Sequence, residues 1–251
     1  MLSEKGSIGI GIPGTNSPHS GLVRGANSTW LIGNPIDRDL EAALERPVRV
    51  ANDANCFTFS EATDGSGAGF KMVFGVILGT GVGGGLCISG DTISGLNGIT
   101  GEWGHSPLPL QETSSSKDSR KDRECYCGKR NCIERFLSGP GFARSFFDHS
   151  GQYLSPNQIV NRLHDNDQYT RAAMSLYEEQ LACALASVIN MVDPDIIVLG
   201  GVLSNIKRLY KNVPNLWQKW CFSDRVDTPL KPPKHGDASG VRGAAWLWPL
   251  E

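Results

Sequence analysis

Met72–Leu78 reads MVFGVIL, Gly79–Gly85 reads GTGVGGG, and Leu86–Ile88 reads LCI. An unbroken apolar run of this length predicts a strand buried on both faces. The glycines that follow are expected to form a loop, with Leu86-Cys87-Ile88 as a second strand and Gly90-Asp91 turning the chain. Glycine has no Cβ, so backbone N–H groups in such a loop can approach phosphate oxygens closely. The same spacing also fits a twisted hairpin that needs positive φ angles. No Gly-Lys-Ser/Thr follows, which excludes a Walker A loop, and no helix follows, which excludes the dinucleotide fingerprint.

A second apolar strand, Ile196–Leu199, runs into Gly200-Gly201 ahead of a helix that Ser204 can cap and that Pro214 breaks or kinks. That arrangement is either a nucleotide cradle or a tight strand–helix turn. Between the two strands, Tyr169–Val192 keeps apolar residues at the 3.6 period of a helix. Upstream, Ser7–Ile12 reads as a strand stopped by Pro13-Gly14, and 15–35 as loop. Asp37–Glu45 reads as a short amphipathic helix and Val48–Ala51 as a strand. Ala54–Ala62 reads as a helix opened by Asn52 and Asp53, both natural N-caps. Leu110–Lys129 is polar, with a serine run, and reads as an exposed flap. Cys132–Phe147 looks helical but interrupted by Gly139-Pro140-Gly141, and Ser239–Trp248 is again helix-like. Strands alternating with helices argue for an α/β fold.

The 251 residues suffice for one large domain or two small ones. Lys+Arg is 24 against Asp+Glu 26, a net charge of −2, which gives no electrostatic reason to expect nucleic acid or an anionic membrane as partner. No apolar stretch is long enough to span a bilayer, and the first residues lack the basic and apolar regions of a signal peptide. A reducing cytoplasm is therefore expected. Four of the seven cysteines, Cys56, Cys87, Cys183 and Cys221, lie singly among apolar neighbours and read as small core residues. The six tryptophans, at 30, 103, 217, 220, 246 and 248, are expected in the core.

The other three cysteines cluster. Cys125, Cys127 and Cys132, taken with His105, supply three thiolates and an imidazole, the donor set of a closed tetrahedral structural zinc site. Gly128 allows the tight turn this needs. Chance clustering and a redox thiol group are the alternatives. A closed site leaves no position for a catalytic water, so such a metal would shape a site rather than react. Asp53, Glu102 and Glu134 sit in glycine-flanked or turn contexts. Asp53 alone fits a helix cap, and lone carboxylates are ordinarily solvated. If a metal holds His105 and Cys132, Glu102 and Glu134 converge on one place, where a proton acceptor and bidentate polyol acceptors are what phosphoryl transfer to a sugar needs.

Taken together, Gly11–Gly14, Asn52–Asn55, Gly79–Gly85, Gly101–His105, Cys125–Glu134 and Asp193–Gly201 resemble the ROK family of bacterial sugar kinases and repressors, in the family's order and over nearly the whole chain. Ala26–Leu31, Glu102–Pro109 and Gly240–Pro249 are most similar to its manno(fructo)kinase branch, and the N-acetylglucosamine kinase branch shares most of the core. The resemblance implies an actin-like ATPase (ribonuclease H-like) two-lobed fold. Residues 1–51 would belong to the N-terminal lobe and 52–251 to the C-terminal lobe, with the final helix returning to the first. It implies an ATP-dependent kinase of the 6-hydroxyl of fructose or another hexose, with Mg2+ bridging the ATP phosphates and a structural Zn2+.

By position, Asp53 matches the general base, and Asn52, Glu102, His105 and Glu134 match the sugar contacts. His105, Cys125, Cys127 and Cys132 match the zinc ligands. Gly81, Val82, Gly83, Gly84, Gly85, Leu86, Cys87 and Ile88 match a phosphate-binding segment, and Gly200 and Gly201 lie near the adenosine. A homodimer is the expected assembly. Three features depart from the pattern. Asn131 stands where glycine is usual, which a left-handed Asn can satisfy, and Val202 replaces a third glycine. The Asp-x-Gly-Gly-Thr turn with which the family's kinases open is absent from the sequence, so the first lobe is expected to be truncated. A non-catalytic sugar-binding or regulatory protein, or an inactive truncated kinase, is the alternative this raises.

Overall fold

The computed structural model describes residues 6–109, 122–165 and 167–248. In chain order the elements are β1 (Ile8–Ile12), a short hairpin of β2 (Thr15–Asn16) and β3 (Val23–Arg24), α1 (Ile36–Leu44), β4 (Val48–Asn52), α2 (Asp53–Thr63), β5 (Met72–Leu78), β6 (Val82–Ile88) and β7 (Asp91–Thr92). These are followed by α3 (Glu134–Leu137), α4 (Gly139–Ser150), α5 (Pro156–Asn161), α6 (Gln168–Val192), β8 (Ile196–Gly200), α7 (Leu209–Trp217), β9 (Leu230–Lys231) and α8 (Ser239–Ala245). The flap reading at 110–121 lies outside the described residues.

The larger sheet runs β7-β6-β5-β8-β9, with β5 antiparallel to β6 and parallel to β8. It is covered on both faces, which is why β5 and β8 read as continuous apolar runs. Phe74, Val76, Leu78, Ile197 and Leu199 point into the main core beneath α6. Val73, Ile196 and Val198 point the other way, with Phe57 of α2. Asp167 caps α6, its Oδ2 accepting from the Thr170 N–H at 2.8 Å. The 3.6-residue stripe then buries Met174, Tyr177, Leu181 and Leu185 completely or nearly so. Truncating one of those leucines to alanine costs about 2–5 kcal/mol.

The glycine run is where structure and sequence part. Val82–Ile88 is one strand, so the glycines at 83–85 are in the sheet rather than in a loop. β5 and β6 do form an antiparallel hairpin about 79–81, but none of the glycines from 79 to 85 has positive φ, so positive φ is not what they supply. Their use is close approach. A Cβ at Gly83 would stand 3.2 Å from that of Ala54, and one at Gly85 would stand 2.5 Å from Thr58 Oγ1. Both contacts are with α2, which therefore lies directly on the sheet.

Three other expectations change. The break expected at Gly139-Pro140-Gly141 is present but falls one residue earlier, at Ser138 between α3 and α4, and the tripeptide opens α4 with the proline in the first turn where it lacks no needed donor. Pro214 lies inside α7, and Ser204 sits in a separate 3-10 turn (Val202–Asn205) rather than capping that helix. Trp103 and Trp217 are buried, but Trp30 is 76% exposed.

A second sheet pairs β1 and β4 in parallel, placing Ile12 beside Asn52. The helix α8 wedges between this sheet and α2. A Cβ at Gly243 would overlap the Cys56 carbonyl, and one at Gly9 would overlap the Ala244 carbonyl, so both contacts are backbone on backbone. The buried Glu61 carboxylate at the far end of α2 accepts from Ser239 Oγ at 2.6 Å, from Ser66 N at 2.8 Å and from Lys234 N at 3.0 Å, which satisfies its charge locally.

Candidate active site and metal centre

Strand β4 leads straight into α2, and the junction carries Asn52 and Asp53. Asn52 Oδ1 accepts from Ala54 N at 2.9 Å and Asn55 N at 3.2 Å, satisfying two donors that a helix start leaves open. Its Nδ2 donates to the Gly14 carbonyl at 3.0 Å, tying the turn after β1 to the same spot. Asp53, the first residue of α2, accepts from Ala54 N at 2.8 Å through Oδ1. Its carboxyl opens to solvent at the cleft yet is walled in by protein. Burial raises its pKa above the usual carboxylate value, and the local backbone hydrogen bonds only partly offset this.

The opposite wall begins with the turn Glu102–His105. It lies backbone-on-backbone against β6. A Cβ at Gly101 would stand 2.2 Å from the Gly84 carbonyl oxygen, and one at Gly104 would stand 2.0 Å from that of Val82. Gly101 also has φ +88°, so only glycine serves there. Between them Trp103 fills the space over Gly84 and donates from Nε1 to the Gly83 carbonyl at 3.0 Å. This fixes Glu102 and His105 at the cleft. Burial raises the Glu102 pKa. His105 and Arg24 oppose the shift, and Asp53 and Glu134 add to it by repulsion.

His105, Cys125, Cys127 and Cys132 are brought together, their ligand atoms all within 4.8 Å of one another. Cys125 Sγ stands 3.6 Å from His105 Nδ1, and Cys127 Sγ stands 3.6 Å from Cys132 Sγ. Zinc–sulfur bonds of about 2.3 Å in a tetrahedron put two thiolates about 3.8 Å apart, so the residues fit a structural zinc ion. The donor chemistry agrees. Burial pushes the Cys132 thiol up to about 12, with Cys127 and Cys125 adding to the shift, and burial also raises Cys125. Against the burial that would raise it, hydrogen bonds from the Lys129 backbone and the other two thiols hold the exposed Cys127 below the usual thiol value.

The hairpin that carries the cysteines turns at Gly128 (φ +84°), and Asn131 adopts the left-handed conformation (φ +57°) that a glycine would otherwise supply. Asn131 also ties the hairpin closed, accepting from Arg123 N at 2.8 Å and donating to Asp122 at 2.9 Å. Pro107 and Cys132 form a bridge, and Ile133 N donates to the Ser106 carbonyl at 2.9 Å, so the hairpin is laced to the Glu102–His105 turn. Glu134 follows at once. It is buried, and its Oε2 accepts from Val82 N at 3.0 Å. A Cβ at Gly81 would stand 2.6 Å from that oxygen.

These walls enclose a polar cleft of about 360 Å3. Asn52, Asp53, Glu102, His105 and Glu134 all line it, as do Gly81, Val82, Gly83 and Gly84. The other residues of the expected phosphate-binding segment are elsewhere. Gly85 and Cys87 face α2, Leu86 enters the main core, and Ile88 pairs with Met72 at the far end of the strand. Gly200 packs on Phe57 and Gly201 on the Leu78 backbone, outside the cleft lining.

The cleft also uses residues that sequence reasoning passed over: Gly14, Asn27, Thr80 and Tyr126. Tyr126 hydroxyl meets His105 Nε2 at 3.1 Å, and the two rings meet edge to face at 5.2 Å. Tyr126 sits in the turn that Gly128 N closes onto the Cys125 carbonyl at 3.0 Å, which carries its ring over His105. No helix among the described residues is long and apolar enough to cross a membrane.

Residues 1–251 match the ROK family. An N-acetyl-D-glucosamine kinase of Salmonella gallinarum is 39% identical over 246 residues, 98% of this chain and 81% of that protein. One from Escherichia coli is 40% identical over 243 residues, 97% and 80%. Among solved structures, the ROK hexokinase from Thermus thermophilus superposes with a TM-score of 0.80 at 25% identity, covering 95% of this chain and 77% of that one. A ROK family glucokinase from Streptomyces griseus, in complex with glucose and AMPPNP, gives a TM-score of 0.80 at 22% identity over 97% and 81%. A ROK family transcriptional regulator gives 0.78 at 22% over 96% and 62%.

Proposed function

This chain belongs to the ROK family and has the actin-like ATPase fold of its sugar kinases, and on that premise we propose that it is an ATP-dependent hexose kinase with Asp53 as general base. The observation that carries the reading is the shared cleft: Asp53 faces Asn52, Glu102, His105 and Glu134 across one polar space of about 360 Å3. Asn52, Glu102, Glu134 and the Nε2 side of His105 hydrogen-bond the hydroxyls of the sugar. Asp53 takes the proton of the acceptor 6-hydroxyl as its oxygen attacks the γ-phosphorus of ATP, and ADP leaves. The raised pKa of Asp53 suits this role, since a base closer in pKa to the working pH accepts protons better. The amides of Thr80 to Gly84 border the cleft where the transferring phosphoryl enters, and Gly200-Gly201 lies toward the adenosine. Mg2+ would accompany ATP and offset the charge of its phosphates. His105, Cys125, Cys127 and Cys132 would hold a zinc ion that supplies rigidity to the sugar wall.

The relatives at 39–40% identity act on N-acetyl-D-glucosamine, which makes that sugar the first acceptor to test. Fructose is the second, favoured by the stretches at Ala26–Leu31 and Glu102–Pro109. ADP release measured with N-acetylglucosamine, fructose, glucose and mannose checks the proposal, with turnover expected for at least one. The fold also serves a transcriptional regulator, so the competing reading is a sugar sensor. Sugar binding by calorimetry with no ADP release from any of the four would replace the kinase reading with that one.

A further inference from the structure

One side chain at the polar cleft occupies a sugar-facing group without being fixed by the fold. Tyr126 stands at the corner of the turn that Gly128 N closes onto the Cys125 carbonyl, and it is 59% exposed. Its hydroxyl meets His105 Nε2 at 3.1 Å, the one hydrogen bond it makes among the described residues. We propose that Tyr126 is a specificity-determining residue. Its hydroxyl stands in the empty cleft where one hydroxyl of the sugar would stand, so the site accepts hexoses whether or not they carry a hydroxyl at that position. The inference rests on the hexose reading above and deepens it.

His105 turns Nδ1 toward Cys125 Sγ, 3.6 Å away, which leaves Nε2 as the ring nitrogen for a partner in the cleft. Each imidazole nitrogen makes one hydrogen bond, as donor or as acceptor. The phenol already uses that of Nε2. A sugar hydroxyl that takes this nitrogen must therefore displace the tyrosine hydroxyl. Tyr126 is placed to yield. Asn52 is tied to Ala54 N, Asn55 N and the Gly14 carbonyl, and Glu134 to Val82 N, so backbone groups hold both in position. The Tyr126 side chain has one hydrogen bond and one edge-to-face ring contact at 5.2 Å, both to His105. An exposed side chain changes rotamer quickly, so the exchange does not require the hairpin to open.

The exchange sets the selectivity. A sugar with the hydroxyl replaces one hydrogen bond to Nε2 by another of the same kind, so that hydroxyl adds little affinity. A sugar without it leaves the phenol in place, and His105 keeps its partner. An analogue that lacks a hydroxyl is ordinarily rejected because the site's polar group is left unpaired beneath it. Tyr126 removes that penalty at one position of the ring. Phenylalanine keeps the ring contact and deletes the stand-in, so it should restore discrimination there.

The test is calorimetry without ATP on the full chain. It uses whichever of N-acetylglucosamine, fructose, glucose and mannose binds most tightly, together with its monodeoxy derivatives. In the unaltered protein one derivative is expected to bind within about twofold of its parent. In Tyr126→Phe the parent sugar should bind about two- to tenfold more tightly, the worth of one net hydrogen bond, and that same derivative should gain nothing. The other derivatives keep the exchanging hydroxyl and should gain as the parent does. The stoichiometry counts binding-competent chains, so a loss of folded protein does not imitate a change of affinity. Tyr126→Leu, which also removes the ring contact, serves as a second variant with the same pattern expected. Weaker binding of the parent sugar by Tyr126→Phe overturns the proposal, because the phenol would then be a ligand of the sugar rather than its stand-in. Unchanged binding overturns it too, and so does a gain shared equally by every derivative. If none of the four sugars binds, the hexose reading itself falls and this inference with it. If sugars bind and the exchange pattern is missing, the role of Tyr126 alone falls.

Discussion

The two walls of the cleft are held by different physics. The Asp53 wall is set by close packing. Helix α2 rests on Gly83 and Gly85 of β6, and α8 presses on its other side through Gly243. No ligand is needed to keep Asp53 where it is. The Glu102–His105–Glu134 wall is also seated on β6, through Gly101, Gly104 and Trp103, but it is laced in addition to a hairpin whose sulfurs lie within 4.8 Å of one another and of an imidazole. A cation held by these four residues would offset the charge of the thiolates gathered there. On the proposed reading, the wall that would take the proton is set by packing alone, and the wall that would recognise the sugar has a metal-ligand cluster attached to it. The contrast teaches that affinity and turnover should be separable by experiment.

The largest expected effect comes from the packed wall. Asp53→Asn should lower kcat about 10²–10⁴-fold, the range general base catalysis supplies, and leave sugar affinity nearly unchanged. In the unaltered protein the rate should fall as pH drops through the raised pKa of Asp53. The same shift has a stability sign. Folded Asp53 holds its proton more tightly than unfolded Asp53, so its charged form opposes folding above the unfolded value near 3.8. By scanning calorimetry the Asn variant should therefore melt no lower than the parent at pH 7, and any gain should vanish near pH 3.

Next comes the metal wall. Cys132→Ser, or removal of metal by a chelator, should weaken sugar binding about 10–100-fold, while turnover at saturating sugar falls much less. Elemental analysis should find about one zinc per chain before treatment. Equal losses in kcat and affinity would erase the contrast between the walls.

The smallest effect tests how finely the packed wall is set. A Cβ at Gly83 would stand 3.2 Å from that of Ala54, so Gly83→Ala should shift the first turn of α2 by a few tenths of an ångström. Since a displacement of about 1 Å can cost about 10²-fold, a shift this size should lower kcat only severalfold, with the KM for sugar steady. An unchanged kcat would show that the seat of α2 is looser than its contacts suggest.

Much of this was legible in the residues. The strands β5 and β8 announce themselves as apolar runs, α6 by its long helical stripe, and α2 by its Asn52 cap, because each signal is local and strong. The zinc quartet and the five cleft side chains were also named from the sequence, and the structure gathers them in one place. What failed were positions whose meaning is tertiary. Gly83–Gly85 looks like a loop because glycine has poor strand propensity, and only the packing of α2 on Gly83 and Gly85 and of Trp103 and Gly101 on Gly84 explains why side chains are unwelcome there. Gly139-Pro140-Gly141 does mark a break, between α3 and α4, but the gap is Ser138 and the proline itself lies in the first turn of α4. Trp30 looks like core because it is large and apolar, but no element covers it. Tyr126 was overlooked because attention fell on the two cysteines around it.

The seat of α2 has a consequence for synthesis. Glu61 and its partner Ser239 are separated by 178 positions, and α8, which covers α2 and leans on β1, is made long after both. A ribosome that has already released Asn52 and Asp53 from its tunnel still carries a helix with one flank bare. Long-range closure of this kind is slow to form. A nascent chain of this protein should therefore not seat Asp53 firmly at the cleft until translation has passed α8.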